Sequence, residues 1–406
     1  MLKFEHGSIQ PSDLHVAAEH LEHLVIRTPF VRSTSLSNEL SAEVFLKFEN
    51  LQHTGSFKAR GACLKIQQLS PTERARGVVA MSAGNHAQAV AYFAKQFGVK
   101  STIVMPENPS SVKLARTRAL GAEVLIAGQS IDEAKGFAYE IAARRGAVLV
   151  HPYDDPLVIL GQASLGYEMF QQVSALDDLF VAIGGGGLAS GVCLAKQLLS
   201  PQTRIFGVQA LAFPAMYNKI KGFNISPGRT TVADGIAVGT PGVLTHRILS
   251  ESLADIFLVS DTEIESALVY LLETEKALVE GAGAAGLAAL MKHREQFIGR
   301  RVGLILCGGN VELRFLAAMI ERSMVRTNRL SRLSVLARDL PGSLAHISKV
   351  VAEAGANVER VEHERGLRAI SGQVVRITLE VQTRDRNHLK ELEQALSDAG
   401  FETALA

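Results

Sequence analysis

Charge of one sign is missing from this sequence: 42 Lys and Arg stand against 41 Asp and Glu, a net charge of +1. That balance excludes the basic footprint that nucleic acid requires, and no long basic tract suits a membrane surface. Cysteine is scarce. Cys63, Cys193 and Cys307 are far apart and odd in number, which excludes a disulfide framework and favours reduced thiols. No apolar run is long enough to span a bilayer, and Met1 to Gln10, with Lys3, Glu5 and His6, cannot form the apolar core of a signal peptide. The expected location is the cytoplasm. No Gly-x-x-x-x-Gly-Lys-Ser/Thr occurs, so a nucleotide P-loop is unsupported; His20 and His23 lack an accompanying ligand set, so no metal site is expected there. What is present is 406 residues, 47% of them hydrophobic, enough for a large core and more than one domain. Small molecules are the expected partners.

Short apolar runs alternate with helical segments through most of the chain. After a helical stretch over 11–24 and a turn at Thr28-Pro29, the alternation of Val44, Leu46 and Phe48 predicts a strand. Val78–Ala80, Thr102–Val104, Val124–Ile126 and Val148–Val150 are the next candidates, giving a first α/β lobe at about 50–150. Leu179–Ile183, Ile205–Val208, Ile256–Val259 and Val302–Leu306 give a second. Strand and helix in alternation imply parallel sheets flanked by helices, with sites outside the C-terminal ends of the strands.

One lysine stands out. Gly55 breaks the extended run before it, and Ser56 is a preferred helix-capping residue, so a helix is expected from about Phe57. Lys58 then shares a stripe with Ala62, Ile66 and Leu69, which face inward. An amine kept neutral by burial is a nucleophile suited to Schiff-base formation with an aldehyde cofactor. The bland alternative is a stem packed on the surface with its charge in water.

Four strand-end loops carry candidate chemistry. Ser82-Ala83-Gly84-Asn85-His86 precedes a helix whose N-terminus and amides can hold a carboxylate, and Asn85 can offer a neutral hydrogen bond. Gly184-Gly185-Gly186-Gly187-Leu188 lies between a strand and a helix, the arrangement that closes bare amides on a phosphate. Gly184, Gly186 and Ala189 also fit a degenerate dinucleotide fingerprint, but the next strand ends in Gln209 where that fingerprint needs an acid. Cys307 opens the third loop, either as an inert thiol or as a partner for a ring nitrogen. The fourth group, Ala233-Asp234-Gly235 with Glu280-Gly281, carries glycines that suit close approach of backbone to a ligand.

Near Glu321 the sequence turns polar, and a linker is expected at 323–330. Beyond it, over 331–406, apolar spacing and turns give βαββα with a closing strand, the ferredoxin-like pattern. No cluster of reactive side chains lies there, so its expected role is binding or assembly.

Lys47-Phe48-Glu49-Asn50-Leu51-Gln52 through Thr54-Gly55-Ser56-Phe57-Lys58, with Ser82–His86, Gly184–Gly187 and Ala233-Asp234-Gly235, closely resembles the threonine/serine dehydratases. Those are pyridoxal-phosphate enzymes of the tryptophan synthase β fold type, fold type II. The resemblance implies a two-lobed catalytic region over 1–322. It implies that Lys58 carries the cofactor, Asn85 bonds its phenolic oxygen, Gly184 to Leu188 hold its phosphate and Cys307 sits at its ring nitrogen. Phe57, Gly235 and Glu280 are counted with the cofactor residues, and Ser82 to His86 with the substrate, a small amino acid. A neutral partner at the ring nitrogen weakens the electron sink, which suits prompt loss of a β substituent. The expected reaction is removal of the α proton by Lys58, departure of the β hydroxyl protonated by the cofactor phosphate, and hydrolysis of the enamine to a 2-oxo acid and ammonia.

The tail, with Asp339-Leu340-Pro341-Gly342-Ser343-Leu344, looks like an ACT domain, which implies an amino-acid effector, isoleucine or valine, bound at that turn. A homo-oligomer, dimer or tetramer, is expected. Similar serine racemases carry a second serine where Ala83 stands and an acid for a divalent metal where Gln209 stands, so elimination is favoured over racemisation and no metal is expected. The alternatives are another β-eliminating or racemising enzyme of this fold, a nicotinamide-dependent oxidoreductase using Gly184 to Ala189, and a non-catalytic amino-acid sensor.

Overall fold

The apolar runs form strands in the computed structural model, which describes residue 9, residues 11–364 and residues 374–405. Contacts divide the chain between Glu312 and Leu313 into two units. In the first unit the strands are β1 (Phe30–Ser33), β2 (Glu43–Lys47), β3 (Val78–Met81), β4 (Ser101–Met105), β5 (Glu123–Ile126), β6 (Val148–Leu149), β7 (Asp178–Ala182), β8 (Arg204–Ala210), β9 (Asp255–Val259) and β10 (Arg301–Ile305). They build a six-stranded sheet in the order β1-β2-β10-β7-β8-β9 and a four-stranded sheet in the order β5-β4-β3-β6. Every pairing is parallel except that of β1 with β2. The small sheet is thus inserted between β2 and β7 of the large one. Helices cover both faces of parallel strands, which is why β4 and β7 are buried along their whole length and read as unbroken apolar runs.

β2 departs from the alternation expected of it. Lying between β1 and β10, it buries Val44, Phe45, Leu46 and also Lys47. The Lys47 ammonium is tolerated because it donates to Thr28 O at 2.8 Å, Glu168 Oε2 at 2.8 Å and Gln172 Oε1 at 3.0 Å.

The second unit holds β11 (Leu330–Arg338), a helix Ser343–Glu353, β12 (Asn357–Glu364), β13 (Val374–Gln382), a helix Arg386–Asp398 and β14 (Glu402–Leu405). The sheet order β12-β13-β11-β14, antiparallel throughout, is that of a ferredoxin-like fold. Leu333, Val335, Ile377 and Leu379 from the sheet meet Ile347, Val351, Leu392 and Leu396 from the helices in one core.

The expected linker is half helix. Residues Leu313–Arg326 form one helix in the second unit, and β11 begins at Leu330, so few residues of 323–330 lie outside regular structure. The polar run after Glu321 is the exposed face and end of that helix, while Met319 and Ser323 supply its buried one.

Candidate active site

The lysine loop is laced to the carboxyl end of β10. Asn50 N donates to Leu306 O at 2.8 Å, Phe57 N to Cys307 O at 3.1 Å, and Gly309 N to Gly55 O at 2.9 Å. Ser56 forms an isolated antiparallel bridge with Gly308 and is extended, with φ −163°. It therefore does not cap the helix, as its sequence position suggested; the helix runs Lys58–Gln67 from Phe57, which makes no side-chain cap bond. A pairing across the fold overrides the local preference for serine at that position.

Arg60 anchors this helix below the lysine. Its fork is bidentate to Glu49, Nε to Oε2 and Nη2 to Oε1, both at 2.8 Å, and it bonds Glu168 Oε1 at 2.7 Å through Nη1. Arg60 and Glu49 are fully buried. The network holds the first turn of the Lys58 helix against the helix Pro156–Gln172 and the end of β2.

Lys58 is partly covered, and its Nζ donates to Pro152 O at 2.7 Å. Burial pulls its pKa down from the usual 10.5 to about 8, with negative charge at Glu280 pulling the other way. Cys307 lies beside it, 2% exposed, its thiol pushed strongly up by burial and then by Glu280, so it stands as a neutral group.

Ser82 to Gly84 lead from β3 into the helix Asn85–Gln96, whose N-cap Gly84 offers no side chain to the first amides. Those amides remain available to an anion. The buried His86 donates from Nε2 to Val150 O at 2.8 Å, which leaves Nδ1 as an acceptor without a partner. Burial holds the imidazole neutral, its pKa down to about 3. Asn310 Nδ2 donates to Asn85 Oδ1, and Asn85 Nδ2 donates to Glu280 Oε1, each at 2.7 Å. Burial first, then Asp234, raises the Glu280 carboxyl from 4.5 to about 7, against the Asn85 bond.

From β7 and Ile183 the chain turns through Gly184–Gly186 into the helix Gly187–Leu199. Gly186 has φ +98°, a conformation costly for any residue with a Cβ. A Cβ on Gly185 would stand inside the ring of Tyr153, and one on Gly187 would lie 2.9 Å from Tyr153 Cα. A bare backbone cradle is therefore enforced, its amides at the positive end of a helix.

Phe57, Lys58, Ser82, Ala83, Gly84, Asn85, His86, Gly184, Gly185, Gly186, Gly187, Leu188, Gly235, Glu280 and Cys307 all line a single cavity of about 360 Å³. Pro152, Tyr153, Lys113, Asp234 and Asn310 line it too. Asn310 and Asp234 stand in the third and fourth candidate loops without a role of their own; Pro152 and Tyr153 go unmarked in the sequence, although they follow β6 at its carboxyl end, where α/β sheets place their sites. Lys113 carries no such signal. Gln209 is buried and satisfied, accepting from Tyr217 N at 2.7 Å and donating to Ile183 O at 3.2 Å. Among the described residues no group of three or more His, Cys, Asp or Glu could hold a metal ion, and no helix is long and apolar enough to cross a membrane. Asp339 to Gly342 lie in the second unit between β11 and the helix Ser343–Glu353, which Ser343 and Leu344 open; Gly342 has φ +96° and Ser343 Oγ donates to Arg338 O at 2.8 Å.

Residues 21–308 match the family model of pyridoxal-phosphate-dependent enzymes, and residues 326–399 that of the ACT domain. The chain is 40% identical over 395 residues to an L-threonine ammonia-lyase of Thermotoga maritima, covering 97% of this chain and 98% of that protein. Among solved structures, a threonine deaminase from T.th. is 37% identical with a TM-score of 0.70 over 74% of this chain and 98% of its own. A serine racemase of Dictyostelium discoideum is 33% identical with a TM-score of 0.70, over 75% of this chain and 99% of its own.

The cavity fits pyridoxal phosphate. It offers an amine of lowered pKa for the aldehyde, a side-chain-free turn at a helix N-terminus for the phosphate, and a neutral thiol and an amide for the ring's polar atoms. The chain belongs to the pyridoxal-phosphate-dependent enzymes of the threonine/serine dehydratase family, an ammonia-lyase with an ACT domain at its C-terminal end.

Proposed function

We propose that this protein converts L-threonine to 2-oxobutanoate and ammonia, accepts L-serine as a second substrate giving pyruvate, and is controlled by an amino acid bound at its ACT domain. The observation that carries the reading is the amine of Lys58, poised near pH 8, on the same cavity as the glycine cradle.

Bound pyridoxal phosphate supplies the electron sink that acidifies the substrate's α proton. Lys58 holds its aldehyde end, the amides of Gly184 to Leu188 its phosphate, Asn85 its phenolic oxygen and Cys307 its ring nitrogen; Phe57, Gly235 and Glu280 complete the lining. The stretch Ser82 to His86 holds the substrate carboxylate at the start of the helix Asn85–Gln96; the Ser82 and Gly84 amides are themselves engaged, by Val104 O and Ser82 Oγ. Once displaced by substrate, Lys58, whose amine burial makes easier to deprotonate than that of an ordinary lysine, would take the α proton. Ala83 has no proton to exchange from the opposite face, which favours loss of the β hydroxyl over inversion. Neutral Cys307 leaves the ring nitrogen unprotonated, in keeping with that prompt elimination.

We assign the catalytic role to the first unit, the effector role to Asp339, Leu340, Pro341, Gly342, Ser343 and Leu344 in the second, and the assembly to a cytoplasmic homo-oligomer. Steady-state kinetics on L-threonine and L-serine, with and without isoleucine or valine, test the reading. Release of 2-oxobutanoate that responds to an effector supports it; absence of oxo-acid release from both substrates would overturn it.

A further inference from the structure

In the loop after β10 one side chain ties together separate parts of the chain. Asn310 Nδ2 donates to Thr54 O in the lysine loop and to Asn85 Oδ1 at the start of the helix Asn85–Gln96, each at 2.7 Å. The Asn310 backbone N–H donates to the Glu280 carboxyl, which also accepts from Asn85 Nδ2 at 2.7 Å. The loop itself is held where Gly309 N donates to Gly55 O at 2.9 Å. Gly55, at φ +73°, leaves room for the amide, since a Cβ there would lie 3.0 Å from Asn310 Oδ1.

Carboxamide chemistry fixes the sense of this chain. A backbone carbonyl only accepts, so the Asn310 atom on Thr54 O is the NH2 end. The same nitrogen can only donate to Asn85, which turns Asn85 Oδ1 toward Asn310 and Asn85 Nδ2 toward Glu280. Asn85 Nδ2 has two protons: Glu280 takes one, and the other remains for the cavity that these residues line. Turned over, Asn85 would present an acceptor in the same place. An ionised phenolic oxygen is stabilised by the first arrangement and repelled by the second. Glu280 alone does not decide between them, because burial keeps a proton on much of this carboxyl, and a protonated carboxyl donates to an amide oxygen as readily as a carboxylate accepts from its nitrogen.

We propose that Asn310 is a positioning residue for the cofactor: anchored on Thr54 O, it holds the Asn85 amide with its NH2 end toward the phenolic oxygen of pyridoxal phosphate and so keeps that oxygen ionised. This rests on the assignment of Asn85 to the phenolic oxygen in the proposed function. Asn310→Asp preserves the shape but carries only acceptors, so the new carboxylate accepts from Asn85 and turns its amide over. Asn310→Ala removes the constraint and leaves Asn85 able to adopt both arrangements.

The test is the absorption spectrum of the holoenzyme, at one pH, for the wild type, Asn310→Asp, Asn310→Ala and Asn85→Ala. Bound pyridoxal phosphate absorbs in the visible when its phenolic oxygen is ionised and in the near ultraviolet when that oxygen is protonated, so the ratio of the two bands reads the donor. Asn310→Asp is expected to lower the visible-to-ultraviolet ratio by about tenfold and Asn310→Ala by about threefold. A loop that is merely loosened gives up cofactor and melts earlier, yet leaves the ratio of the cofactor still bound unchanged. The alanine variant keeps the test decisive if the aspartate variant does not fold. An unchanged ratio in the Asn310 variants alongside a lowered one in Asn85→Ala, or a larger fall in Asn310→Ala than in Asn310→Asp, overturns the proposal. A ratio unchanged in Asn85→Ala faults the assignment of Asn85 itself, and the inference falls with it.

Discussion

Asn85 donates its side-chain amide to Glu280 Oε1 at 2.7 Å, and the carboxyl that receives it is 5% exposed and raised to about pH 7. A carboxyl so placed holds its proton through the range in which the unfolded chain, at 4.5, has already released it. Its contribution to stability is present below about pH 4.5 and is lost as pH rises through about 7. Glu280→Gln keeps an acceptor for Asn85 and does not titrate. Relative to the wild type the variant gains stability between pH 5 and pH 8, by up to about 3 kcal/mol. Denaturation curves at the two pH values check this; parallel shifts would contradict it.

Arg60 is the second point of stress. Arg60→Met leaves Glu49 buried and without its bidentate partner, at an expected cost of roughly 3–5 kcal/mol. Arg60→Lys retains the charge but loses the fork, and costs less. Urea denaturation of both variants measures the order.

The glycine cradle separates position from composition. Gly185→Ala drives a methyl into the Tyr153 ring, so the variant loses about 1–3 kcal/mol and retains less cofactor on dialysis. Gly239→Ala, where nothing stands within 4 Å, changes neither quantity. Melting temperature and cofactor absorbance report both.

What could be read along the chain was what is local. Apolar runs such as Thr102–Val104 and Leu179–Ile183 mark buried parallel strands because both faces are covered, and glycines at strand ends mark backbone that must approach a ligand. The alternation Leu333, Val335, Ala337 marks a sheet with one covered face. The misreadings at Ser56, Lys47 and the helix Leu313–Arg326 share a cause, since each is settled by a distant or flanking partner: Gly308 for the serine, Glu168 for the lysine, and for the helix an apolar face that begins before the polar run. The pairing of Lys113 with Asp234, 121 residues apart, was invisible for the same reason.

Control through the second unit is tested at Gly342, whose φ of +96° favours glycine. Gly342→Ala strains the Asp339 to Leu344 turn by about 1–2 kcal/mol. It is expected to shift the effector concentration for half response several-fold and to leave turnover without effector unchanged. Effector titrations of the full-length holoenzyme provide the check.

The central claim is that Lys58 carries the cofactor. Borohydride treatment of the yellow holoenzyme followed by peptide mapping tests it most directly. The pyridoxyl mass is expected on the peptide containing Lys58, with Lys58→Ala colourless after dialysis. A label on another lysine, or persistent colour in Lys58→Ala, would contradict it.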